Sequence, residues 1–273
     1  MLANSPELTS QSRKATAGMA SSTMTITRRA ALRYLRTPQL IVMATAQMSI
    51  FFLIYRYMFG GAIDTGSVPY VDYLVPGFVA TGVLFSGIGA AVAMAEDLEQ
   101  GFIDRLRSLP IPRISVLAAR VIADTAILTL SAMVTVAIAF AVGFQMHAGI
   151  GDGLAAFGLV VLFGFAFECV FVTLGLFAGS AQGAQGLGMI VFPLVFVSSA
   201  YVPVDSMPGF LQVIAEHQPI TYMVDAVRAL TLGPGAGADL GHPATYYIVR
   251  ALFCTAAIIA ATVPVAINKY RRG

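Results

Sequence analysis

Six stretches of this chain are apolar almost throughout: residues 39–59, 74–95, 121–143, 154–178, 186–202 and 247–267. The hydrocarbon core of a bilayer is about 30 Å thick, so a spanning helix needs about 20 mostly apolar residues. Each stretch comes near that length, and the pattern predicts six transmembrane helices. The fifth is the shortest and carries Pro193 near its middle. Neighbouring helices can satisfy the carbonyl that a proline frees, so a kinked, slightly short helix is expected there.

Composition agrees. Hydrophobic side chains make up 58% of the 273 residues and charged ones only 11%, against about 25% charged in a typical soluble domain. An ordinary soluble enzyme, a disordered chain and a collagen-like chain are all disfavoured by these figures. Cys169 and Cys254 both lie in long apolar runs, which argues against a disulfide framework or a thiolate metal cluster. The expectation is an all-α polytopic membrane protein.

The positions of the charges orient it. All of the 16 lysines and arginines except Arg56, Arg228 and Arg250 fall in the N-terminal segment, at the junction of spans two and three, or at the C-terminus. The opposite face carries Asp64, Asp72, Asp152, Asp205, Glu216, Asp225 and Asp239. Cytoplasmic loops carry the excess of Lys and Arg. Both termini are therefore expected in the cytoplasm, with the protein in the cytoplasmic membrane.

Three segments lie outside the spans. Residues 1–23, rich in Ser, Thr and Ala, read as a flexible cytoplasmic tail without the apolar core of a signal peptide. Residues 24–37 follow, with Arg29, Arg33 and Arg36 on one helical face and Ala31, Leu32 and Leu35 on another. A helix lying in the inner headgroup layer fits; a plain basic flank is the alternative. Residues 38–273 are expected to form one six-span transmembrane domain. Within it, Gly101 and Pro110 bracket a short cytoplasmic helix whose Phe102, Leu106 and Leu109 form an apolar edge beside Asp104, Arg105 and Arg107. Two turns have little stability alone, so this edge either docks in a partner's groove or packs on the protein's own inner rim. Residues 203–232 are too charged to span, and Pro208 and Pro219 divide them. They predict two short helices, at 210–215 and 222–230, which either dip into the outer leaflet or rest on its surface.

Much chemistry is absent. The only lysines are Lys14 and Lys269, and neither follows glycine, so a GxxxxGK[ST] phosphate loop is impossible in this chain. His147, His217 and His242 are isolated and show no metal spacing. No nucleophile–base set and no separate nucleic-acid patch can be argued, so this chain is not read as an enzyme. Glu168 lies near the middle of span four, the costliest depth for a carboxylate, and must be neutral, paired or beside a wet cavity. With Tyr201 and Tyr222 it marks a candidate substrate path; a structural hydrogen bond between helices is the alternative for Glu168. Asp124 stands four residues after Arg120 and is expected to pair with it. Gly175, Gly179 and Gly183 offer small-residue helix packing.

The junction after span two carries Glu96, Gly101, Arg105, Leu106, Leu109, Pro110 and Arg113, and the segment before span six carries Pro219-Ile-Thr-Tyr222 followed by Arg228. In this order and spacing the chain resembles the membrane subunit of type-2 ATP-binding-cassette (ABC) exporters, particularly the daunorubicin-resistance-type efflux permeases of actinobacteria. The resemblance covers nearly the whole chain after the tail. It implies a dimeric permease, homo- or heteromeric, bound to two separate ATPase subunits that hold ATP and Mg, while this chain binds no cofactor. It also implies export of an amphipathic drug, lipid or glycolipid. A proton-coupled secondary transporter using Glu168 and Asp124 is the rival reading.

Overall fold

The computed structural model describes residues 50–63, 65, 68–103, 113–233 and 240–272. The described residues are helical, with no strand among them. In chain order the helices are α1 (Ile50–Phe59), α2 (Tyr70–Glu99), α3 (Arg113–Ala141) and α4 (Ile150–Ala178). There follow α5 (Ala181–Gly188), α6 (Val191–Phe196), α7 (Gly209–Glu216), α8 (Pro219–Leu232) and α9 (Ala244–Arg272).

Four of these helices, α2, α3, α4 and α9, are long and apolar enough to cross a membrane. The 30 residues of α2 rise about 45 Å at 1.5 Å each, so these helices outrun the hydrocarbon core and extend past the predicted spans by several residues. The predicted first span, 39–59, is described only from Ile50, and its last turn, Tyr55–Phe59, is a π-helix. Residues 1–37, with the expected tail and interfacial helix bearing Arg29, Arg33 and Arg36, lie outside the described residues.

The predicted fifth span is short and kinked, as expected, but its bounds require correction. Helix begins earlier than 186, at Ala181, where the Ser180 hydroxyl caps it by accepting the Gly183 N–H at 3.0 Å. It breaks between Gly188 and Val191 and ends at Phe196. Proline is the cause: Pro193 has no N–H to offer the Met189 carbonyl, which accepts the Phe192 N–H at 3.1 Å instead. That bond tightens the backbone into a turn. Residues 197–202, counted in the span by hydropathy, are non-helical.

Helix α4 is the central column, packed against α2, α3, α8 and α9. Its closest approach is to α2, where a methyl group on Gly175 would lie 2.5 Å from the Ala91 carbonyl oxygen. Of the three spaced glycines, only Gly175 serves helix packing. Gly179, at φ 68°, closes α4 in the left-handed conformation that glycine adopts without penalty, and Gly183 donates to the cap of α5. Helices α3 and α9 instead leave large apolar side chains exposed, among them Met133, Phe140, Val249 and Phe253, as helices that are hydrophobic all round do when they face lipid or another chain.

Helices α2, α4 and α9 begin at one end of the bundle, and α8 is buried there between them. A segment resting on the surface does not fit α8. It fits α7, whose Phe210, Val213 and Ile214 are exposed.

Candidate functional site

Between α1, α2, α3, α5 and α6 lies a cavity of about 490 Å³, within the range that holds drug-sized ligands. Its walls are aromatic and aliphatic: Phe51 and Tyr55 come from α1, Phe78 and Phe85 from α2, and Phe192 and Phe196 from α6. Ser86, Ser131, Thr135 and Gln185 supply the polar atoms, and Tyr201 closes one side. The Tyr201 ring stacks on Tyr55 at 4.8 Å, and its hydroxyl pairs with Thr81 Oγ1 at 3.0 Å. Two hydroxyls of the lining are tied to their own helices, Ser86 to the Val83 carbonyl at 3.0 Å and Thr135 to that of Ser131 at 2.9 Å. The wall can therefore stack an aromatic ring or offer a hydroxyl contact, without presenting a costly unpaired donor.

Of the predicted path residues, Tyr201 lines this cavity. Glu168 does not; it lies behind the wall, 1% exposed, beside Ser86. Tyr222 is elsewhere, its hydroxyl accepting from Arg250 Nη1 at 2.7 Å. Sequence reading missed Ser86, Ser131 and Thr135. Their signal was helical spacing: Gly82, Ser86 and Gly89 share one face of α2, and Ser131 and Thr135 one face of α3.

Beside the cavity, a buried ionic cluster fixes the non-helical turn after α6. Arg228, 2% exposed, donates to Asp225 Oδ1 at 2.7 Å and to the Ser199 carbonyl at 2.9 Å. It also donates to the Tyr73 carbonyl from Nε and Nη2, at 3.4 and 3.2 Å. Its guanidinium lies 3.6 Å over the Tyr73 ring. Ser199 Oγ completes the set by donating to Asp225 Oδ1 at 2.8 Å. The arginine and acid are on α8, the ring on α2, and the serine on the turn that leads to Tyr201. One cluster thus sets the position of a cavity wall.

At the opposite end, Arg120 bridges two acids, reaching Asp124 and Asp97 at 2.7 Å each. The pairing with Asp124 was expected; Asp97 was not. Glu96 is exposed in the last turn of α2, and Gly101, at φ 64°, ends that helix before the chain restarts as helix at Phe102. Phe102 is half-buried, and Ile103, absent from the predicted edge, is 2% exposed in a core cluster with Val116 and Leu117. Arg105, Leu106, Leu109 and Pro110 lie outside the described residues; Arg113 opens α3. Among the described residues no group of His, Cys, Asp and Glu could hold a metal ion.

Residues 21–232, which take in α1 to α8, match the family described as ABC-2 type transporter. The chain belongs to that family. It is a multi-pass membrane transport subunit, and its family favours an ABC exporter over the proton-coupled rival. The transporter is similar to the daunorubicin resistance ABC transporter permease protein DrrB1 of Streptomyces coeruleorubidus, 27% identical over 97% of this chain and 91% of the relative. It is similar to the probable doxorubicin resistance ABC transporter permease protein DrrC of Mycobacterium tuberculosis, 27% identical over 77% of this chain and 71% of the relative. The inner membrane transport permease YadH of Escherichia coli is 25% identical over 71% of this chain and 76% of its own length.

Proposed function

We propose that this permease exports an amphipathic molecule, an aromatic drug or a lipid-like compound, through the space between α1, α2, α3, α5 and α6. The cavity of about 490 Å³ carries the reading: it is ring-lined with few hydroxyls, a surface suited to flat or greasy cargo. The relatives named for daunorubicin and doxorubicin resistance support it. Two ATPase subunits drive transport and hold ATP and Mg, and a second permease chain completes the membrane unit. Both termini face the cytoplasm, so the ATPases engage the end where Arg120, Gly101 and Lys269 lie. The helix beginning at Phe102 transmits their movement through Phe102, Leu106 and Leu109, with Arg105 and Arg113 flanking it; the segment bearing Arg29, Arg33 and Arg36 lies along the inner leaflet.

The test is efflux of a fluorescent aromatic amphiphile from proteoliposomes holding the permease with its ATPase. Efflux should require ATP. Leu106→Asp should lose both the ATPase on co-purification and the efflux, because burying one leucine is worth roughly 1.5–3 kcal/mol and its loss weakens assembly by about tenfold or more. Gly89→Phe should keep the ATPase but lose efflux, since Gly89 lines the cavity with open space before it. Full efflux in the Gly89→Phe variant would remove the cavity from the path.

A further inference from the structure

We propose that Glu168 makes the cavity selective for cationic cargo, acting through the floor formed by Ser86 and Leu128. The inference rests on the reading of the cavity as the substrate site and names its substrate class.

Glu168 projects from α4 towards the contact of α2 with α3. One turn before it, Gly164 receives Leu128 so closely that a methyl group there would lie 2.7 Å from Leu128 Cδ1. One turn after it, Phe171 fills the space left by Gly87 of α2. Ser86 and Leu128 both line the cavity. The carboxyl is therefore held directly behind the floor, with Ser86, whose side is open to the cavity, between it and any occupant.

Two observations separate this from a structural hydrogen bond between helices. Glu168 is 1% exposed, yet its Oε2 has no hydrogen-bond partner. A carboxyl retained only to join helices would have both oxygens satisfied, as most buried polar groups are. The acidic side chains around it also outnumber the basic one. The charge-bearing side chains nearest Glu168 are Asp124 and Arg120, and Arg120 is already shared between Asp124 and Asp97. These described side chains set three carboxyls against one guanidinium. A cationic amphiphile in the cavity would place its apolar body against the aromatic wall and its charge over Ser86, where the carboxyl behind the floor attracts it across a low-dielectric gap, without direct contact.

The experiment measures equilibrium binding to the full-length permease in lipid nanodiscs, using tetraphenylphosphonium as the cation and triphenylphosphine oxide as an uncharged compound of like shape. Wild type should bind the cation about tenfold tighter than the neutral compound. Glu168→Gln should lower cation affinity by about tenfold or more, leaving neutral binding within about twofold. Glu168→Asp should retain most of the preference. Neutral binding in the Gln variant also reports that the fold is intact. No cation preference in wild type, an unchanged preference in Glu168→Gln, or equal loss of both compounds would each overturn the role of Glu168. Failure of wild type to bind either compound would overturn the cavity reading as well.

Discussion

Replacing Arg228 by Met tests the account of how α8 is held. Methionine keeps an unbranched apolar stem for packing but removes four donated hydrogen bonds: one to Asp225, one to the Ser199 carbonyl and two to the Tyr73 carbonyl. Arg228 is 2% exposed and Asp225 6%, so water cannot replace the lost partner. Breaking a buried ion pair by removing one member costs about 3–5 kcal/mol, because the other charge is left uncompensated. Asp225→Asn should cost a comparable amount, although Ser199 can still donate to its side-chain oxygen. The double variant Arg228→Met/Asp225→Asn should be less destabilised than the sum of the singles by about 1–3 kcal/mol. It should not return to wild type, since the Ser199 carbonyl loses one donated bond and the Tyr73 carbonyl two, each worth about 1 kcal/mol. The chain contains no Trp, so unfolding by SDS in mixed micelles is best followed by far-ultraviolet circular dichroism. A loss below about 1 kcal/mol for Arg228→Met, or strict additivity in the cycle, would show that the cluster does not anchor α8.

Gly77→Ala should be strongly destabilising, since its methyl group would lie 1.9 Å from the Ala200 carbonyl oxygen; overpacking of this kind costs about 1–3 kcal/mol or more. Gly186→Ala, which meets nothing within 4 Å, should leave the same micelle unfolding curve unchanged or shift it slightly towards stability, and equal effects of the two would refute the packing argument. Single cysteines at residues 10 and 207 in a Cys-free background should be labelled from opposite sides of the membrane by an impermeant maleimide. Labelling of both from one side would reverse or abolish the proposed topology.

Hydropathy found the long helices because a bilayer demands about 20 apolar residues and a satisfied backbone, a requirement written residue by residue. The cost of an isolated intramembrane carboxylate likewise singled out Glu168, and the i to i+4 spacing found the Arg120–Asp124 pair. The kink at Pro193 was legible too, but the bounds of the fifth helix were decided by neighbours. Residues 186–202 are apolar enough for a span, yet Pro193 diverts the Met189 carbonyl into a turn, and the following residues are held non-helical by Arg228 from α8. Nothing in hydropathy announces that contact, made across 29 positions between Ser199 and Arg228.

The cavity is a tertiary object in the same sense. Ser86, Thr135 and Tyr201 are unremarkable in their own segments, and they converge only because α4 fixes the spacing of α2 and α3. Tyr222 and Tyr201 looked equivalent along the chain, but packing sends one to Arg250 and the other to the cavity wall. Sequence by itself determined which segments must leave water, through the free energy of transferring apolar side chains and backbone out of it. Only the packing decided which faces of those segments meet, because that choice depends on shape complementarity between residues distant in the chain: Gly175 against Ala91, Gly164 against Leu128, Gly87 against Phe171.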